Sequence, residues 1–381
     1  MNTLETYVIE KRRYLHQHPE TGFKCKKTSA YIKSELMKLG IEKIQECGKY
    51  SLVATIRNGE GPTTGLRADF DALKIEEETT LSFKSVNKGI MHACGHDAHS
   101  AMLLGAAKYL TENKNEWSGT VKLIFQEAEE GPDPGGAYYI VNSGFVDDVD
   151  SFYALHVSPG FETGCLAINY GDALAAADTI EVLFRGNGTH AAYPHLGIDP
   201  ICMSADFTMR LQTIVSRKIN PFSTAVVSIG SIHGGTTFNI IPDEVKLSGT
   251  VRTFSNEERD LIEKAIDDLA KSVALGYGGS YSLNYTRGYD CTVNTNKEVD
   301  LMIKAGKEVF DEIKVLEEAS MGAEDFSRYI NKQSGAIAWL GVKQKEGETH
   351  NIHNAKFNLN EEALILGTNF FINLIKQEGV I

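Results

Sequence analysis

Between residues 1 and 175, apolar β-branched runs alternate with amphipathic stretches, and this alternation limits the possible folds more than any other feature of the chain. Helical patterns over Leu4 to Gln17 and over Thr28 to Leu39, the second stopped at Gly40, precede the strand-like runs SLVATIRNG and TTGLRADF. An apolar helix then follows His99, and the strands TVKLIFQ and SFYALHV come after it. Strands that alternate with helices predict an α/β fold, a mostly parallel sheet covered by helices on both faces. In such sheets functional groups gather beyond the carboxyl ends of the strands.

From Asp178 to Gly288 the order changes to strand DTIEVLFRG, a helix through Asp199 to Val215, strands TAVVSIGSI and EVKLSGTVRTF, a helix from Asn256 to Ala274, and strand SYSLNYTRG. That is β-α-β-β-α-β, the order of a ferredoxin-like α+β unit. Ser255 followed three residues later by Glu258 reads as a capping box for the second of these helices. Residues 289 to 381 return to a helix, the strand GAIAWLGV and a final helix from about Asn360. The expected domains are therefore 1–177 and 289–381 as two parts of one unit, with 178–288 inserted between them. A chain of 381 residues is long enough for two cores.

With 42% hydrophobic and 23% charged residues the chain reads as a soluble globular protein, and its net charge of -13 argues against a nucleic-acid partner. The N-terminal MNTLETYVIEKRRYL is charged and amphipathic, unlike a signal peptide, and no apolar run reaches the roughly 18 residues that span a membrane. The expectation is a cytoplasmic protein without a membrane partner. Its six cysteines lie far apart with no CxxC pair, as free thiols in a reducing compartment do.

The segment MHACGHDAHS, residues 91 to 100, holds His92, Cys94, His96, Asp97 and His99, three of the chain's eleven histidines among them. Such clustering favours metal ligation, and the alternative is a helix N-terminus capped by Asp97 or His96. Further ligands are sought at strand ends. TVKLIFQ runs into Glu127, Glu129 and Glu130, adjacent carboxylates that repel unless a cation sits between them. SFYALHV places His156 near the end of an apolar strand, where a neutral core histidine is the alternative to a ligand. His350 and His353 follow GAIAWLGV in a polar loop, and Asp69 and Asp71 end TTGLRADF and its continuation. All of these fall just past predicted strands of one sheet, which together favours a metal site.

The segments LRADFDAL, MHACGHDAH, QEAEEG, ALH, GNGTHAAYPHLGIDP, FNIIPDEVKLSGTVRTF, MGAEDFS and IHNAKF, in this order, resemble the dinuclear metal-dependent amidohydrolase branch of the aminoacylase and carboxypeptidase family. Hippurate hydrolase, auxin-conjugate hydrolases, N-acetyldiaminopimelate deacetylase and bacterial N-acyl-amino-acid amidohydrolases belong to it, and the likeness covers essentially the whole chain. The resemblance implies two divalent ions per subunit (Zn2+, Mn2+ or Co2+) held by Cys94, His96, Glu130, His156 and His353, with Glu129 as general base. Asp69 would orient a ligand, while Arg67 stands where the wider family has a ligand histidine. In the inserted unit the resemblance gives His190 the task of stabilising an oxyanion, and Asn239 and Arg252 the recognition of the substrate's carboxylate. It also implies a homodimer formed through the inserted unit, which acts as a lid.

The implied reaction is hydrolysis of an N-acyl amino acid to a carboxylic acid and a free amino acid. A dipeptidase or aminopeptidase of the same superfamily and a catalytically silent binding protein are the alternatives. His16 and His18 read as structural, since Cys25 stands where the fuller family pattern has a glutamate. His92, His99 and His350 read as neighbours of ligands, and His233 as a loop residue. The PDP of EEGPDPGGA lengthens a loop beside the expected pocket.

Overall fold

The computed structural model describes residues 3–345 and 347–379, which divide into two compact units. One comprises residues up to Ala173 together with Thr292–Ala319 and Glu324 onward; the other is Leu174–Cys291 with Ser320–Ala323.

The first unit is built on an eight-stranded sheet ordered Ile44–Cys47, Ser51–Asn58, Gly119–Gln126, Thr63–Asp69, Ser151–Glu162, Ser334–Lys343, Cys165–Ile168, Glu312–Val315. Its four central strands, 119–126, 63–69, 151–162 and 334–343, run parallel, so the expected α/β class holds. Gly119–Gln126 is buried along its whole length, as a strand covered on both faces requires. Among the described residues, antiparallel pairs appear only toward the margins. Ser51–Asn58 pairs antiparallel with 119–126 and forms a hairpin with Ile44–Cys47, which has only four residues and little alternation to betray it. Cys165–Ile168 and Glu312–Val315, also four residues each, likewise escape the sequence pattern.

Helices Thr3–Gln17, His96–Glu112, Asn296–Gly306 and Glu362–Glu378 pack against one another over the sheet and enclose the main core. The short helices Gly136–Val141 and Ser327–Ile330 pack together, the second contacting strands 151–162 and 334–343. Helix 96–112 is apolar nearly all round, with Ala98 and Ala101 to Leu104 fully buried, as befits its central place. Gly105 is needed there: a Cβ would lie 2.5 Å from Val8 Cγ2.

The second unit is a four-stranded antiparallel sheet ordered Ala225–Gly234, Glu244–Thr253, Ala176–Arg185, Ser280–Arg287, with helices Pro200–Lys218 and Asn256–Tyr277 packed against each other and the sheet. This is the ferredoxin-like arrangement, with its own core around Ile180, Phe184, Phe207, Leu211 and Ile266. Ser255 Oγ accepts the Glu258 N–H at 3.1 Å, and Asp199 caps the other helix through the N–H groups of Ile201 and Cys202. Buried Arg259 holds the Asp178 carboxylate with Nε at 2.8 Å and reaches Asp290 at 2.7 Å, tying the first strand, second helix and exit of the unit together.

Candidate active site

Helix His96–Glu112 starts from Gly95, whose φ of 88° is left-handed, and a Cβ there would meet Val157 Cγ2 at 2.3 Å. Glycine is thus required by handedness and by space alike. Neither Asp97 nor His96 caps this helix. Asp97 instead turns toward the N-terminal helix, accepting from Arg12 Nε at 2.9 Å and facing His16 Nδ1 at 2.9 Å. The chain turn therefore frees His96, which is fully buried with neither ring nitrogen in a hydrogen bond. Its nearest oxygens are Asp71 Oδ1 at 3.4 Å, Asp69 Oδ2 at 3.7 Å and Glu129 Oε2 at 4.0 Å.

His156 lies within strand 151–162, where Nδ1 faces the Val157 carbonyl at 2.8 Å and Nε2 lies 3.5 Å from Cys94 Sγ. With the proton on Nδ1, the Nε2 lone pair is directed toward Cys94, the tautomer a metal ligand needs. His353 is half-exposed with φ of 65°; its N–H donates to Ala93 O at 2.7 Å and its Nε2 lies 3.0 Å from Glu130 Oε1. Potential ligand atoms of Cys94, His96 and His156 lie within 4.8 Å of one another, as do those of Cys94, Glu130 and His353 and those of His96, Glu129 and Glu130. Two of these groups share Cys94, so the donors define two adjacent places for a cation.

Charge and burial agree with cation binding. Burial opposes a charge on His96, yet Asp69, Asp71 and Glu130 outweigh it and raise the imidazole to about 10, which marks a strongly negative surrounding field. Burial and the histidines beside it keep His156 neutral. Burial, then Glu130, Glu129 and Asp69, push the Cys94 thiol well above its usual range, so only a directly bound cation would stabilise its thiolate. Burial likewise raises Glu129 well above the usual carboxyl range, with Glu324, Glu130 and Asp325 adding to it. Burial works against the Glu130 carboxylate, but His353 and His96 hold it below its usual value. A buried histidine without a hydrogen-bond partner, a tautomer-fixed imidazole, a thiol and clustered carboxylates form a donor set that fits divalent transition metals.

A buried support surrounds these groups. Asp69 accepts from Arg67 Nη1 at 2.7 Å and pairs with His99 Nδ1 at 2.6 Å, while His99 Nε2 accepts the Val157 N–H at 2.9 Å. Arg67 also reaches Glu324 at 2.9 Å, Asp325 at 3.0 Å and Gln126 at 3.1 Å.

The model of peptidase family M20/M25/M40 matches residues 65–377. The chain belongs to this family. It is a metal-dependent hydrolase of amide bonds. It is 37% identical over 368 residues to thermostable carboxypeptidase 1 of Saccharolobus solfataricus, covering 96% of this chain and 93% of that one. It is also 37% identical over 379 residues to N-acetyl-L-cysteine deacetylase of Bacillus subtilis, covering 99% and 89%. The crystal structure of a dinuclear metal-binding peptidase of the M20 family from Bacillus subtilis superposes with a TM-score of 0.85 at 32% identity, covering 100% of this chain and 99% of that one.

The remaining candidates of this M20 chain lie in the second unit. His190 is exposed at the end of strand Thr189–His190, which pairs with Ile240–Ile241, and the Ala191 N–H donates to Asn239 O at 3.0 Å. His190 and Asn239 thus adjoin, and His190 lines a cavity of about 610 Å³ with Thr189, Ile240 and Asp243. Arg252 is half-buried on strand Glu244–Thr253, opposite Val226 and Ala177. Among the histidines set aside, His16 pairs with Asp97 and Glu77, His92 is buried beside His16, and His233 is exposed on strand 225–234. Among the supporting residues, Asp71 stands out in the sequence only as one more strand-end acid beside the candidate ligands, and nothing there points to a task for Arg12, Glu324 or Asp325. The DFD and GAED runs mark the positions of three of them; for Arg12, on a charged helix, there was no such mark.

Proposed function

We propose that the chain removes the acyl group from N-acyl amino acids, with two divalent ions held by Cys94, His96, Glu130, His156 and His353. The observation that carries this reading is the pair of donor groups meeting at Cys94 with Glu129 beside them. Thiolate and imidazole favour Zn2+ or Co2+, and the carboxylate admits Mn2+. Such ions polarise the amide carbonyl and lower the pKa of water. Glu129 accepts the proton of the attacking water as the C–O bond forms. It then delivers that proton to the amine nitrogen as the C–N bond breaks, leaving a carboxylic acid and an amino acid. Burial, which raises the proton affinity of Glu129, suits this exchange. Asp69, fixed by Arg67 and His99 and 3.7 Å from His96 Nε2, orients a ligand.

In the same reading the second unit is a lid and a dimerisation surface, with its boundaries near 178 and 288. Its edge strands 225–234 and 280–287 can each pair with a second copy. His190 of one subunit donates to the oxyanion at the other subunit's site, and Asn239 and Arg252 read the substrate's carboxylate. Six free cysteines, four of them buried, suit a cytoplasmic location. Among the described residues no helix is long and apolar enough to cross a membrane.

A peptidase reading is favoured by the likeness to a carboxypeptidase. The test is a panel of N-acetyl and N-benzoyl amino acids against unblocked dipeptides, run on protein reloaded with each metal. N-acyl amino acids should be cleaved with the higher kcat/KM, and chelation should abolish turnover. Dipeptides cleaved about tenfold better would overturn the assignment.

A further inference from the structure

Asp71 lies beyond the end of strand 63–69, is 1% exposed, and was given no task by the reading above. Its Oδ1 accepts the Glu129 N–H at 3.0 Å and lies 3.4 Å from His96 Nδ1; its Oδ2 accepts the Glu130 N–H at 3.2 Å. One carboxylate thus faces the ligand helix on one side and two consecutive amides of the Glu129–Glu130 turn on the other.

The turn needs such an anchor. Ala128 has φ of 55°, a left-handed conformation that a residue with a Cβ seldom adopts without outside support. That conformation brings two successive N–H groups toward one acceptor and lets both glutamates approach His96. Two buried amides left without an acceptor would drive the turn toward other conformations.

We propose that Asp71 is a positioning residue that locks the base-bearing turn to the His96 imidazole, setting the spacing between Glu129, Glu130 and His96. The proposal rests on the assignment of Glu129 as base and of His96 and Glu130 as ligands. Only a carboxylate does this work, because an amide offers one acceptor oxygen and turns an N–H2 group toward a backbone N–H.

Asp71→Asn is therefore the test, with Glu60→Gln, an exposed carboxyl on the loop before strand 63–69, as control. In D71N, affinity for Zn2+ in a chelator competition should fall about 10- to 100-fold and kcat about as much, with KM within roughly threefold of its original value. The Tm of chelator-treated protein should move little, and E60Q should match the parent throughout. A D71N variant with parental zinc affinity and parental kcat overturns the proposal. A parent that binds no zinc instead overturns the metal assignment on which it rests. Should D71N fail to fold, hydrogen exchange in the unmodified enzyme decides: the Glu129 and Glu130 amides should be protected, and rapid exchange of both would refute the anchor.

Discussion

Replacing Arg67 with methionine removes a guanidinium that faces three buried carboxylates. The guanidinium is 2% exposed and makes three charge-assisted hydrogen bonds, to Asp69, Glu324 and Asp325, and a fourth to the Gln126 side chain. At about 1.5–3 kcal/mol for each charged bond the three would sum to roughly 4.5–9 kcal/mol. That sum is an upper bound, because the stranded carboxylates can take up protons rather than remain charged in the interior. Breaking a buried ion pair on one side costs about 3–5 kcal/mol, and this is the expected loss for Arg67→Met at pH 7. Methionine fills much of the same volume, so the loss reads charge rather than a cavity. Urea unfolding of chelator-treated protein measures it, and the triple variant R67M/E324Q/D325N should recover more than half by removing two of the charges that need a partner. A loss below about 1 kcal/mol for R67M, or no recovery in the triple variant, would refute the view that Arg67 is held there by its charge.

Glu129→Gln should keep its metal content and lose roughly 100-fold or more in catalytic rate, whereas Glu130→Gln should lose metal, as elemental analysis and kcat would show. Identical behaviour of the two variants would reverse or void their roles. Mixing E129Q with His190→Ala protein under subunit exchange should restore activity toward about a quarter of the parent, since half of the dimers then hold one complete site. Exchange without recovery would put His190 outside the partner's site. Burial opposes the Glu77 carboxylate, but His16, Thr79 and the Ser85 N–H overcome this and lower it to about 2. A depressed folded pKa stabilises the protein above the ordinary value of 4.5 and loses that effect as pH falls toward 2. Glu77→Gln should therefore cost roughly 1–3 kcal/mol at pH 7 and progressively less below pH 4.5 in denaturant titrations.

What the sequence determined by itself was whatever is written in local periodicity. Continuous apolar runs such as TVKLIFQ require a strand buried on both faces, and the spacing of ionisable residues just beyond such runs marks one edge of a sheet. The β-α-β-β-α-β order of the second unit is legible for the same reason, because each of its elements is long enough to show its period. The tertiary structure alone decided which distant residues meet. Cys94 and His156 are 62 positions apart, and Arg67 reaches Glu324 across 257. Nothing in the local pattern of either segment distinguishes a histidine alone in a core from one whose ring faces a thiol. Asp71 shows the same limit more sharply: a carboxylate two residues past a strand looks like any loop acid until the left-handed Ala128 presents two amides to it. The direction of the hairpin strands and the partners of buried charges depend on long-range closure and packing, and these act on the folded chain as a whole rather than on any one stretch of it.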